Sequence, residues 1–167
     1  LEVFAGKAGL TRAVLDSTQW HVLPPVEVTL SALVVEPANV FDPGLWMKIR
    51  NWVRAGAVSY LHFGTPCTTY SRARNGSNGG PGPLRSMEHL QGLPGLSPAD
   101  QMKVDEGNRF LLMTVELILL SPTLQWSIEN PASSLMWSTP EIRKLIQEGA
   151  VLWVFHACAY GAPYQKP

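Results

Sequence analysis

Leu1-Glu2-Val3-Phe4-Ala5-Gly6-Lys7-Ala8-Gly9 decides the fold, because it reads as a short strand running through a glycine-containing turn into a helix. Leu1 to Phe4 supplies the strand and Ala5 to Gly9 the turn. Leu10 to Leu15 opens the helix, with Thr11 placed to help cap it. Gly6 lets the backbone approach a ligand, and Gly9 permits close strand–helix packing. An ordinary strand-to-helix turn carries the same Gly-x-x-Gly. It is neither the full dinucleotide fingerprint nor a P-loop, since Lys7 is misplaced and no Gly-Lys-Ser/Thr follows.

Working outward, Pro24 and Pro25 interrupt an apolar segment and leave Val26 to Val28 as its only regular strand. Ala32 to Val35 is either a further strand or an irregular insertion. Asp42 before Pro43 signals the start of a helix from Gly44 to Arg54. Ala57 to Phe63 suits a central parallel strand, and Pro98 to Leu120 is the longest helix. Leu124 to Ile128 returns to strand character. A helix from Thr139-Pro140-Glu141 to Gln147 and a strand from Val151 to Ala157 follow. Strands alternating with helices predict an α/β fold with a mostly parallel sheet covered by helices, in a single domain over 1–167.

One region departs from this alternation. Between Gly79 and Pro98 stand five Gly and four Pro, so the loop at about 75–98 holds neither helix nor central strand. It reads either as a lid over a substrate or as a surface insertion.

Composition narrows the classes of function. Thirteen basic residues offset thirteen acidic ones, so any polyanion contact comes from a local patch. Cys67 and Cys158 form no Cys-x-x-Cys or Cys/His cluster, which argues against zinc and leaves metal out of the expectation. No apolar run reaches the roughly 20 residues of a membrane-spanning helix. The opening on a strand, without a basic leader, reads as an excised core with no signal peptide.

Ligands of open α/β sheets bind beyond the carboxyl ends of strands. Four unusual segments fall there: Phe4 to Gly9, Glu27, Gly64-Thr65-Pro66-Cys67, and Glu129-Asn130-Pro131. Glu27 is suited to accept ribose hydroxyls, or else is a solvated strand-end carboxylate. Cys67 is a nucleophile or a small apolar filler. Arg72 and Arg74 are partners of a thiolate or of phosphates, or else solvated loop charges. His62 and His156 read as core histidines.

Here the motifs add up. Leu1 to Gly9 resembles the Phe-x-Gly-x-Gly-Gly cofactor motif of the DNA cytosine-5 methyltransferases. Thr65-Pro66-Cys67-Thr68-Thr69-Tyr70-Ser71 is similar to their Pro-Cys-Gln-x-Phe-Ser catalytic motif, and Glu129-Asn130-Pro131 to their Glu-Asn-Val. The three stand in the family's order, and the likeness spans most of the chain. It implies a Rossmann-like methyltransferase core, S-adenosylmethionine as cofactor, and methyl transfer to cytosine C5 through a covalent cysteine.

Carried over by position, Phe4 packs near the adenine, Gly6 and Gly9 line the methionine side, and Glu27 holds the ribose. Asp42 either meets the adenine amino group or caps its helix. Cys67 attacks C6 and Glu129 holds or protonates N3. Ser71, Arg72, Arg74, Arg85 and Asn130 fall on the substrate side, with the arginines toward phosphates and Asn130 organising its loop.

Ala8, Thr68 and Pro131 depart from the family's Gly, Gln and Val. Tyr160 to Lys166 matches its Gln-x-Arg-x-Arg region only loosely. No target-recognition region follows, which implies a further recognition domain or a protein partner. DNA is the expected partner ahead of RNA, in an intracellular compartment that holds DNA. Two other readings remain open: a catalytically silent module that binds nucleic acid or a partner, and another cysteine-dependent pyrimidine-modifying enzyme.

Overall fold

The first strand is shorter than its apolar pattern, because Phe4 turns left-handed (φ 57°) and ends the extended backbone. The computed structural model describes residues 1–17, 19–72 and 81–156. Among these, β1 (Glu2–Val3), α1 (Gly9–Asp16), α2 (Pro43–Arg54) and β2 (Tyr60–Phe63) come first. Then follow α3 (Pro98–Leu119), β3 (Gln125–Ile128), a short 3-10 helix (Leu135–Ser138) and α4 (Pro140–Gln147). The architecture is mixed α/β, with a parallel sheet in the order β1-β2-β3.

The chain forms two compact units. Unit 1 is Leu1–Thr65 with Met113–Glu129, and unit 2 is Pro66–Leu112 with the chain from Asn130 onward. Unit 1 holds the sheet. Parallel neighbours require long crossovers, and here α1 and α2 connect β1 to β2 while α3 connects β2 to β3. Leu61 and Phe63 of β2 are fully buried, whereas Tyr60 is exposed, as alternation demands.

The expected strand at Val26 to Val28 shrinks to one parallel bridge, Val26 to Val3. The cause is local: the amides of Val28 and Thr29 donate to Oε1 of Glu27 (2.8 and 3.1 Å) and so are lost to a ladder. Ala32 to Val35 is no strand either. Ser31 and Val34 close a turn on each other, and Val34 packs into a small buried cluster with Ala5 and Ala8.

Helix α2 starts as its sequence dictates. Oδ1 of Asp42 accepts the Leu45 amide at 2.7 Å, and Pro43 stands in the first turn. Trp46 donates through Nε1 to Glu116 of α3 (3.3 Å), and Arg50 forms an ion pair with the same carboxylate at 3.0 Å.

In unit 2, α3 begins at a reciprocal cap: the Asp100 amide donates to Ser97 Oγ, which donates to Asp100 Oδ2. Ile142 and Leu145 face inward from α4, and Gly149 (φ 111°) lets the chain turn away after it. The predicted strand from Val151 does not form over 151–156, where Val151, Trp153 and Val154 are exposed. High strand propensity makes no strand without a neighbour to pair with; Ala157 lies outside the described residues. The described part of the Gly/Pro loop, 81–97, holds neither helix nor strand, and Asn75 to Gly80 lie outside the description. Among the described residues no helix is long and apolar enough to cross a membrane.

Candidate functional site

Strand β1 is where the order of the sheet reverses. From β1 the chain pairs on one side through Val26, then returns to pair on the other side through β2. Such a reversal opens a crevice at the carboxyl ends of the strands, where ligands of α/β sheets bind.

The turn that leaves β1 is strained at this point. Phe4, Gly6 and Ala8 all have left-handed φ (57°, 53° and 53°), and the first and last carry a Cβ. Left-handed non-glycine residues cost of order 1 kcal/mol or more each, and such outliers cluster at ligand clamps. The turn is held by Ala8 donating to the Ala5 carbonyl (2.7 Å) and by Gly6 donating to Oε2 of Glu27 (2.8 Å). Thus Gly6 and Glu27, 21 positions apart, meet directly. The carboxylate also takes the Val28 and Thr29 amides, which leaves acceptor capacity for one further donor.

A Cβ placed on Gly6 or Gly9 would meet nothing within 4 Å. The backbone there is open to a ligand. The same observation corrects the role expected of Gly9: close strand–helix packing does not require its glycine. Close packing occurs instead at Gly64, where a Cβ would fall 2.6 Å from the Phe4 carbonyl oxygen.

Glu2 is the residue that sequence reasoning missed in unit 1. Buried in β1, its Oε2 accepts both the amide (2.8 Å) and the hydroxyl (2.6 Å) of Thr11. It supplies the cap that Thr11 was expected to provide itself, since Ala8 at the start of α1 has no side-chain oxygen. A carboxylate at a helix N-terminus also complements the helix dipole. The available signal was a charged residue inside an apolar strand.

Beside it runs a polar row across the sheet. His62 pairs in register with Glu2 and Ser127, and its Nδ1 lies 2.7 Å from Ser127 Oγ. Burial pushes the imidazole below its ordinary value, while Glu2 and then Glu129 pull it back. Glu129 continues the ladder past β3, its amide donating to the Phe63 carbonyl at 2.8 Å. The Glu129 side chain is exposed. Asp42 is also exposed, and its known contact is the helix cap.

Unit 2 contains Cys67, half-buried and not in a disulfide. Its carbonyl accepts the amides of Tyr70 and Ser71, both at 2.8 Å, so Cys67 to Ser71 closes into one tight turn. Thr69 and Tyr70 are buried in the interior. Asn130 is buried as well. Arg72 is exposed and lines a cleft of about 240 Å³ with Ser71, Ser86, Met87 and Leu135.

Arg85 does not face outward as expected. It is 2% exposed, and its guanidinium is spent on contacts inside unit 2. Arg74 and Cys158 lie outside the described residues, as does the Tyr160 to Lys166 region. Among the described residues no group of three His, Cys, Asp or Glu could hold a metal ion.

No family model matches the chain. No curated protein and no solved structure matches it either.

Proposed function

We propose that the chain is the core of an S-adenosylmethionine-dependent methyltransferase of Rossmann-like fold that acts on C5 of cytosine in nucleic acid, DNA ahead of RNA. One observation carries the reading. The strained, open turn Phe4 to Gly9 stands at the reversal of a parallel sheet and is bonded to Glu27, the first carboxylate beyond the next paired position. An exposed backbone beside a carboxylate suits a ligand that carries both a charged amino-acid end and ribose hydroxyls.

The residues fit that ligand in chemistry. Glu27 retains an acceptor site for a hydroxyl, and Gly6 and Gly9 leave open room over the backbone. When bound, the cofactor supplies an electrophilic methyl group on a sulfonium.

The chain's own residues do the rest. As a thiolate, Cys67 adds to C6 of the pyrimidine, and the displaced electron pair makes C5 nucleophilic. Glu129 holds or protonates N3 and so stabilises that electron pair. After C5 gains its methyl group, a base removes the C5 proton, the C5–C6 double bond returns, and Cys67 leaves as thiolate. Base chemistry at C5 and C6 requires the base to be out of the stack.

A polynucleotide carrying 5-fluorocytosine tests this, because fluorine cannot leave as a proton. With S-adenosylmethionine present, the protein should gain a stable mass adduct. Cys67→Ser should abolish the adduct, Cys158→Ser should keep it, and Glu129→Gln should slow it by about 10²-fold or more. An adduct lost with Cys158 and kept without Cys67 overturns the assignment. Cofactor binding with no adduct on DNA or RNA makes the chain a silent binding module.

A further inference from the structure

The geometry points to Arg85 as a positioning residue that locks the nucleophile turn, reaching it from the Gly/Pro loop; the inference rests on the reading of Cys67 as nucleophile. A guanidinium has five N–H donors, and here all five are used. Nε and Nη2 both donate to Thr69 Oγ1 (3.0 and 2.9 Å). Nη1 donates to the Leu90 carbonyl and to Asn108 Oδ1 (2.7 Å), and Nη2 also donates to the Val104 carbonyl (2.9 Å). Nothing is left over for a phosphate.

The plane of Arg85 also lies over the ring of Tyr70, 3.8 Å from its centroid. The Tyr70 hydroxyl donates to the same Asn108 Oδ1 (3.1 Å). One arginine therefore grips two consecutive residues, Thr69 and Tyr70, in the turn whose first carbonyl belongs to Cys67. Tyr70 is gripped a third time, by the Leu135 amide on its carbonyl (2.9 Å).

The helix is shaped to admit this grip. A Cβ on Gly107 of α3 would lie 2.7 Å from Thr69 Oγ1 and 3.0 Å from Arg85 Nη2, so the helix gives up a side chain where the arginine passes. The grip also fixes the described part of the loop. Leu84 is buried, and the Leu93 amide donates to its carbonyl at 2.9 Å. Residues 84–93 are thereby tied to the turn of Cys67.

Positioning has a magnitude. Displacing a reacting atom by about 1 Å costs on the order of 10²-fold in rate without loss of binding. A buried cation with neutral acceptors is also conformationally exacting, since each lost acceptor leaves an unpaired donor.

The test uses the chain with Cys158→Ser, so that Cys67 is the sole thiol, and two variants, Thr69→Val and Arg85→Lys. Thr69→Val keeps the shape and removes the acceptor of two bonds. Arg85→Lys keeps the charge and removes the fork. Two rates are read: alkylation of Cys67 by iodoacetamide, and adduct formation with the 5-fluorocytosine polynucleotide.

Releasing the turn should raise alkylation of the half-buried thiol about threefold or more in both folded variants. Adduct formation at saturating polynucleotide should fall about tenfold or more, with the half-saturating concentration held within about twofold. Thr69→Ser, which retains the oxygen, should restore both rates. Unchanged alkylation in both folded variants overturns the inference, whatever the adduct does. Unfolding of both variants while Thr69→Ser stays folded makes the contact one of stability alone, and overturns it too. If alkylation responds but the unmodified chain forms no adduct, the methyltransferase reading fails, and what stands is the restraint of the Cys67 turn by Arg85.

Discussion

At His62 burial and charge pull in opposite directions. Burial lowers the imidazole below its ordinary value, and Glu2 and Glu129 offset only part of that. In the folded chain it is therefore neutral at a pH where the unfolded chain already binds a proton. The stability it contributes is present above its unfolded pKa of about 6.5 and is lost as pH falls toward the lower folded value. Below the folded value both states are protonated and this group takes nothing more. Urea midpoints measured between about pH 7.5 and about pH 5.5 should fall with acid, and His62→Gln should flatten the fall. Parallel pH profiles for the two proteins would show that the Nδ1 contact with Ser127 does not depend on the neutral ring. Single residues differ in how openly the sequence declares them. Asp42 is legible as a cap because a cap is a local matter, set by the residue and the proline after it. Glu2 and Arg85 are not, because their partners Thr11, Thr69 and Asn108 lie 9, 16 and 23 positions away and are fixed only by the fold.

Among the elements, α3 shows a local preference yielding to a tertiary one. Gly107 stands in the middle of a helix of 22 residues, where alanine is intrinsically better by about 1 kcal/mol. Yet an added methyl group would press on Thr69 Oγ1 and Arg85 Nη2, two atoms already held by hydrogen bonds. Overpacking a fixed site costs about 1–3 kcal/mol, so Gly107→Ala should destabilise the chain by up to about 2 kcal/mol net. Denaturant midpoints decide it, and a stabilised variant would mean that the arginine clamp is soft. The same contest explains which elements the sequence reveals. Helices α2, α3 and α4 keep their predicted extents within one or two residues, because cap, period and length agree. Strands β2 and β3 are found but are shorter than their apolar runs. Val26 to Val28 loses its ladder to the Glu27 side chain, and residues 151–156 carry strand chemistry with no described partner. The causes differ: the first is a local side-chain bond, while the second shows that a strand exists only through its neighbours and pairing is not written in a single segment.

Two units divide the chain, and they carry different parts of the proposed chemistry. Unit 1 holds the open turn and Glu27, and unit 2 holds the turn of Cys67 with its arginine clamp. The order of the segments alone set four motifs at the ends of predicted strands. What that order could not supply was the direct bond from Gly6 to Glu27, or the use of Arg85 as an internal strut instead of a phosphate contact. On the proposed reading the cofactor acts on the turn of unit 1. S-adenosylhomocysteine should slow amide exchange at Phe4 to Gly9 and at Val28 and Thr29, whose amides already depend on Glu27. The thiol turn, already closed by its own bonds and the Arg85 grip, should exchange slowly with or without that ligand. At a ligand concentration of about 100 times Kd, mass action adds about 2.7 kcal/mol to the stability of whatever folds around the ligand. Glu27→Ala should remove about 1–3 kcal/mol of binding, through the lost hydroxyl partner and the loosened Gly6 amide. Hydrogen exchange followed by mass, with calorimetry on the same samples, reads all three effects. Binding that protects only residues of unit 2, or no binding by a folded chain, would remove the cofactor reading of the turn and leave its left-handed residues without a functional explanation.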